Sequence, residues 1–266
     1  MKKVILVCDG ENYSHGVFEF IKQSQQHEAL FVKGIFFSSI DIVASVARDF
    51  WEEKASINGV ASMAVERFAN QCKNNNIQFA IEERDASYWS KVFWQKESRF
   101  ADYIILSQAM IGKDIDSQQP NAFMQELFRW ADCPILVVPE NIRKIESLIA
   151  TYDGSRECMH AIKEFTKIFP RYCNLPASFV YVKDEDNADI PQSTLLKEFV
   201  NIHFQNAVIQ KLHWDYQKLF STWIECHKNP LIIAGSYNRS IVSYLLETSF
   251  SDLVIKDQIA PIFIAH

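Results

Sequence analysis

The strongest constraint on the fold is an internal duplication. An apolar run that ends in Asp-Gly occurs at residues 4–10 and again at residues 148–154. Two more patterns recur in the same order: "ADYIILS" (101–107) with "KNPLIIAG" (228–235), and "ADCPILVVP" (131–139) with "QIAPIFIAH" (258–266). Three matched pairs in register indicate two copies of one structural unit. We therefore predict two domains, 1–140 and 145–266, with the seam between Asn141 and Glu146.

Each copy alternates short apolar runs with amphipathic segments of helical period. Strands are predicted near residues 3–8, 29–37, 77–83, 102–107 and 134–138, and near 147–152, 177–183, 207–213, 230–234 and 261–265. Helices are predicted near residues 14–26, 41–74, 87–98 and 121–131, and near 156–169, 192–204, 215–227 and 249–258. Apolar strands separated by helices predict a parallel sheet that is covered on both faces. The predicted fold class is α/β, with one doubly wound five-stranded parallel sheet in each copy.

The composition restricts the class of protein. The 266 residues are 48% hydrophobic, which is enough for globular cores and argues against disorder. The net charge of −6 disfavours a nucleic-acid partner, and no apolar run approaches the ~20 residues of a membrane span. The apolar start ends at Cys8-Asp9-Gly10, which is too short for a secretory signal. Six cysteines without a Cys-x-x-Cys spacing predict reduced thiols and a cytoplasmic protein.

The polar residues indicate neither a metal site nor a catalytic centre. Cys158 and His160 fall early in a predicted helix, and Cys226-His227 ends another, but no pair has a metal-ligand spacing. There is no Ser-His-Asp arrangement with a nucleophile elbow, so enzymatic activity is not expected. The aromatic segment 87–100 has helical spacing, which predicts core or a buried interface rather than a cofactor site.

The order of these patterns resembles the universal stress protein family. The shared features are Asp-Gly after strand one, a glycine after strand four and a final strand of the "CPILVVP" type, in two tandem copies over nearly the whole chain. The resemblance implies the strand order 3-2-1-4-5 in each copy. It also implies pairing through the last strands, here Pro134–Val138 and Pro261–Ala265. We therefore expect an intramolecular pseudo-dimer, which protects these apolar strand edges, with further pairing into a homodimer left open.

Many members of this family bind ATP through a glycine loop after strand four, with the spacing Gly, two residues, Gly, nine residues, Gly-Ser or Gly-Thr. The second half has Gly235, Asn238 and Thr248-Ser249 at matching positions, so the spacing is intact and one glycine remains. The matching positions of the first half hold no glycine: Gln108, Ile111 and Asn121-Ala122. The resemblance therefore implies ATP or another adenine nucleotide in the second half only, and no metal.

The candidate site lies where strands one and four end, because their crossovers leave to opposite faces and open a crevice. In the family, the Asp after strand one contacts the adenosine part and the glycine loop holds the phosphates. Each element also has a structural explanation: Asp153-Gly154-Ser155 fits a turn with a helix N-cap, and residues 249–252 fit a capping box. Asn238 and Thr248 crowd the backbone of the loop, and Asp252 repels phosphate, which predicts weak binding.

Two functions remain open at this stage. One is a stress-response module that binds an adenine nucleotide weakly, and the other is a scaffold that binds a protein partner and has a degenerate site. Nucleotide carried through purification would distinguish the two. The candidate binding residues are Asp153, Gly154, Ser155, Val182, Gly235, Asn238, Arg239, Thr248, Ser249 and Ser251.

Overall fold

The chain divides into two compact units, Met1–Ile142 and Arg143–His266. The computed structural model describes residues 1–9, 13–38, 58–111, 122–183, 189–213, 223–224, 226–235 and 260–265. Within these ranges, no helix combines the length and the apolar character needed to cross a membrane.

The first unit alternates strands and helices along the chain. Its described elements are β1 (Lys2–Asp9), α1 (His15–Gln25), β2 (Leu30–Ser38), α2 (Asn58–Asn74), β3 (Gln78–Asp85), α3 (Lys91–Ser98), β4 (Tyr103–Ser107), α4 (Ala122–Trp130) and β5 (Ile135–Val138). Neighbouring strands pair in parallel in the order β3-β2-β1-β4-β5. Every residue of β4 is buried, as expected for a central strand with helices on both faces.

The second unit repeats this plan. Its described elements are β6 (Ser147–Thr151), α5 (Arg156–Ile168), β7 (Pro176–Lys183), α6 (Ser193–His203), β8 (Asn206–His213), β9 (Pro230–Ala234) and β10 (Ile262–Ile264). The strands pair in parallel in the order β8-β7-β6-β9-β10. Counted from the first strand of each unit, both orders are 3-2-1-4-5. The predicted fold class, two doubly wound five-stranded parallel sheets in tandem, is confirmed.

Helix α5 shows how the sequence positions the second sheet. Its buried residues recur at helical spacing and form one apolar face: Cys158, Ala161, Ile162, Phe165 and Ile168. Phe165 packs edge-on against Phe263 of β10, with ring centroids 5.3 Å apart. This contact holds the second half of α5 against the sheet.

The predicted helix at 87–98 is corrected by the structure. A short 3-10 turn (Ala86–Tyr88) comes first, and α3 begins only after Ser90, whose backbone is extended and whose hydroxyl accepts the Phe93 N–H at 3.3 Å. Serine is a favoured N-cap, so it restarts the helix at this position. Trp89 and Trp94 are 5% and 0% exposed and belong to the core, as predicted, whereas Tyr88 and Phe100 of the same segment are 53% and 69% exposed.

Three of the predicted helices are described only in part or not at all. The described part of the helix predicted at 41–74 is Asn58–Asn74, and that of the helix predicted at 215–227 includes a helical pair at 223–224. The helix predicted at 249–258 lies outside the described residues.

Candidate functional site

The candidate site is framed by the carboxyl ends of β6 and β9. These strands are parallel neighbours, paired from Ser147 with Pro230 to Ala150 with Ile233. At the end of the pairing, the Thr151 hydroxyl donates to the Ile233 carbonyl at 3.2 Å. The sheet order places β7 on the other side of β6, so the direction of the chain crossovers changes here. Such a switch point is where doubly wound folds bind ligands.

Asp153, Gly154 and Ser155 form a tight turn between β6 and α5. The Ser155 N–H donates to Asp153 Oδ1 at 2.8 Å, and Gly154 has a φ of +82°, a conformation that favours glycine. Ser155 then caps α5, since its Oγ accepts the Cys158 N–H at 3.1 Å. The structural explanation of this motif is therefore confirmed. It leaves the Asp153 side chain exposed at the mouth of the switch point.

Gly235 joins this turn from the end of β9. A Cβ added to Gly235 would lie 2.6 Å from both the N and the Cα of Cys158, in the first turn of α5. The backbone of β9 therefore approaches α5 more closely than any side chain allows. This packing requirement was not visible in the sequence, where Gly235 suggested only a ligand loop.

A segment at residues 189–192, which we call the strap, lies on the Asp153-Gly154 turn. A Cβ on Gly154 would be 2.6 Å from Pro191 Cβ, so the proline ring rests against the glycine. The Tyr152 hydroxyl donates to the Pro191 carbonyl at 2.8 Å and lies 3.3 Å from Gln192 Oε1. Sequence reasoning missed Tyr152, Pro191 and Gln192. The available signal was a tyrosine directly before Asp-Gly, with a proline after the second strand.

Burial controls the titration of the groups behind the turn. Tyr152 is 3% exposed, and its pKa is raised by burial and then by the nearby Cys158 and Asp153. Burial also raises the pKa of the Cys158 thiol to about 11. The Cys158 thiol donates to the Ser155 carbonyl at 3.2 Å. Cys158 is therefore a protonated packing residue, not a prepared nucleophile or metal ligand.

His160 is exposed whereas Cys158 is buried, so the two point apart as predicted from helix geometry. Across the residues that the structure describes, no group of three or more His, Cys, Asp and Glu is arranged to hold a metal ion.

The remaining candidate residues fall into two sets. Val182 lies in β7, the strand next to β6, two residues beyond the pairing of Val180 with Thr151. The structure therefore brings together Asp153, Gly154, Ser155 and Gly235, with Val182 on the adjacent strand. The rest lie outside the described residues: Asn238, Arg239, Thr248, Ser249 and Ser251.

The same place in the first unit has different chemistry. Ser14 caps α1 by accepting the Val17 N–H, and the carboxylate of Glu140 accepts the His15 N–H at 3.0 Å and the Ser14 hydroxyl proton. Glu140 follows β5, so the chain leaving the unit supplies an anion to the start of its first helix. Gln108 is buried in a short 3-10 helix (Gln108–Ile111) directly after β4.

Comparison with known proteins identifies the fold. No protein-family model matches the sequence, and no curated protein matches it. A universal stress protein from Archaeoglobus fulgidus matches with a TM-score of 0.64 and 11% identity, covering 98% of this chain and 95% of that one. A functionally unknown protein from Pseudomonas aeruginosa matches with a TM-score of 0.53 and 11% identity, covering 99% and 92%.

A third match is the cytoplasmic domain of a prokaryotic cation chloride cotransporter. Its TM-score is 0.50 at 10% identity, and the match covers 98% of this chain and 95% of that one. Identities this low establish the fold and not the function. The predicted strand order, the duplicated plan and the structural match agree: this chain has the fold of the universal stress proteins over nearly its whole length.

Proposed function

We propose that the chain is a universal stress protein-like module of the cytoplasmic stress response, without enzymatic activity, that binds ATP or another adenine nucleotide weakly in its second half. The observation that supports this most is the contact of Gly235 with the first turn of α5. It joins the end of β9 to the exposed Asp153 at the switch point, where a doubly wound fold holds its ligand. Pairing of the two last strands within one chain stays a prediction.

Weak binding follows from the loop sequence. Of the three glycines in the family motif, only Gly235 is present, and Asn238 and Thr248 place side chains where the backbone would approach phosphate. A phosphate contact at a helix N-terminus is worth about 1–2 kcal/mol. Losing two such contacts weakens binding roughly 30- to 1000-fold, at tenfold per ~1.4 kcal/mol.

Restriction to the second half is supported by Glu140. In the first unit, a carboxylate of the chain itself accepts the His15 N–H at the start of α1. A phosphate near that helix would meet this negative charge. In the described part of the second unit, no carboxylate from a distant part of the chain bonds to the first N–H groups of α5, although Glu157 places one exposed carboxylate in its first turn.

Titration calorimetry with ATP on the full chain tests the proposal. We expect weak binding that Asp153→Ala reduces further, because the resemblance implies that the Asp after the first strand contacts the adenosine part, and Asp153 is exposed at that position. The matched control is Asp9→Ala, at the equivalent position of the first half. A loss of binding in the control, with Asp153→Ala unaffected, would place the nucleotide in the first half and contradict the proposal. Nucleotide released from freshly purified protein by acid is a second measurement.

A second candidate is a scaffold that binds a protein partner and no nucleotide. Its support is the apolar surface of the second unit, where Leu195 and Ile202 of α6 are 65% and 70% exposed and Val208 of β8 is 58% exposed. This function is favoured if the protein purifies without nucleotide and gives no heat with ATP.

A further inference from the structure

The strap holds Gln192 in a defined position beside the turn. Gln192 has φ 45° and ψ 37°, a left-handed conformation that few residues other than glycine adopt. Its carbonyl accepts the Leu196 N–H at 2.9 Å at the start of α6. Its side-chain oxygen lies 3.4 Å from the Cβ position of Gly154. The surroundings thus fix an unfavourable backbone conformation, which is a common feature of functional sites.

The side chain of Gln192 remains exposed although its position is fixed. The Tyr152 hydroxyl lies 3.3 Å from Gln192 Oε1, and this hydroxyl is itself anchored on the Pro191 carbonyl. In the first unit, the position equivalent to Tyr152 is held by Cys8, which has no hydroxyl. The strap and its tyrosine anchor therefore belong to the half in which nucleotide binding is proposed.

Electrostatics determine which end of a nucleotide would lie at the strap. Asp153 and Asp189 are two exposed carboxylates at the strap end, against one, Glu157, beside Gly235, so the strap end repels phosphate more strongly. Gly235 packs on the first turn of α5, and helix N-terminal N–H groups favour anions. The phosphates would lie toward Gly235, and the base toward the strap.

We propose that the carboxamide of Gln192 contacts the base and selects adenine over guanine, an inference that rests on the proposed nucleotide site. A carboxamide presents an acceptor and a donor side by side, which match N6–H and N7 of adenine. Guanine presents two acceptors on that edge, O6 and N7, so the amide oxygen would face O6 with no proton between them. Arginine, which donates twice, fits guanine instead.

Calorimetric titration of the full chain with ATP and with GTP tests this selection. ATP and GTP carry the same ribose triphosphate, so the ratio of their affinities reports only the contribution of the base. Gln192→Ala is expected to lower the ATP:GTP affinity ratio about 3- to 10-fold, the value of about one net hydrogen bond. Gln192→Arg is expected to lower the ATP:GTP affinity ratio further, because the two N–H donors of an arginine side chain match the two acceptors of guanine. The matched control is Gln205→Ala, an exposed glutamine just before β8, which leaves the ratio unchanged.

The outcomes separate this inference from the proposed function. If ATP binds and neither Gln192 variant changes the ratio, Gln192 does not select the base, and the nucleotide site stands. If the wild type binds neither ATP nor GTP, both the site and the selection are overturned. If Gln205→Ala changes the ATP:GTP affinity ratio by the same amount, the selection is also overturned. A neutral substitution elsewhere on the surface would then have the same effect as the change at Gln192.

Discussion

Replacing Gly154 with alanine tests the contact between the turn and the strap. The substitution has two separate costs. A φ of +82° costs a residue with a Cβ roughly 1–2 kcal/mol. The added Cβ would also lie 2.6 Å from Pro191 Cβ, and relieving such an overlap in a packed region costs about 1–3 kcal/mol. We therefore expect the free energy of unfolding to fall by about 2–5 kcal/mol.

The two costs separate in a Pro191→Gly background, which removes both ring carbons that meet the added Cβ. In that background Gly154→Ala is expected to cost only the backbone component, about 1–2 kcal/mol. The coupling free energy between the two sites is then about 1–3 kcal/mol. Urea unfolding of the wild type, the two single variants and the double variant, followed by far-ultraviolet circular dichroism, measures this coupling. Hydrogen exchange assigns the loss of stability to the second unit.

One result would refute this reasoning. If Gly154→Ala costs the same in both backgrounds, the proline ring does not press on Gly154, and the strap is not held there by close packing. Pro191→Gly alone also changes the unfolded state, but that contribution appears on both sides of the cycle and cancels.

Three other predictions follow from the same structure. Ser155→Ala removes the N-cap of α5 and is expected to cost about 0.5–2 kcal/mol in urea unfolding, with Ser14→Ala as the counterpart in the first unit. Glu140→Gln removes the negative charge at the start of α1. It is expected to lower the free energy of unfolding by about 0.3–1 kcal/mol, and by less at high salt, in thermal unfolding experiments. The pKa of Cys158 is raised from 9.0 to about 11, so the folded state keeps a proton that the unfolded state loses. The contribution of the Cys158 thiol to the free energy of unfolding is therefore fully present below about pH 9 and is lost as the pH rises toward about 11. Cys158→Ala is expected to make this fall less steep.

The fold followed from the sequence because its signal is local. Most strands contain a short apolar run, and central strands such as β4 and β9 are buried along their whole length. The Asp153-Gly154-Ser155 turn was equally local, since its hydrogen bonds join residues two and three positions apart. Patterns of this kind report burial and turn chemistry directly.

The contacts that shape the site were not predictable, because they join distant parts of the chain. Pro191 meets Gly154 across 37 positions, and Tyr152 bonds to its carbonyl across 39. Gly235 meets Cys158 only once β9 has paired beside β6. None of these three contacts leaves a periodic pattern, so the sequence indicated the glycines but not what they touch.

The cap on α1 also has a consequence for synthesis of the protein. Glu140 is 125 positions beyond His15, whose N–H it accepts, and it follows β5, the last strand of the first unit. The first helix of this unit is therefore completed only after its last strand has been made. Contacts of such long range slow folding. A nascent chain that ends before Glu140 would lack this carboxylate, and the start of α1 would be capped by Ser14 alone.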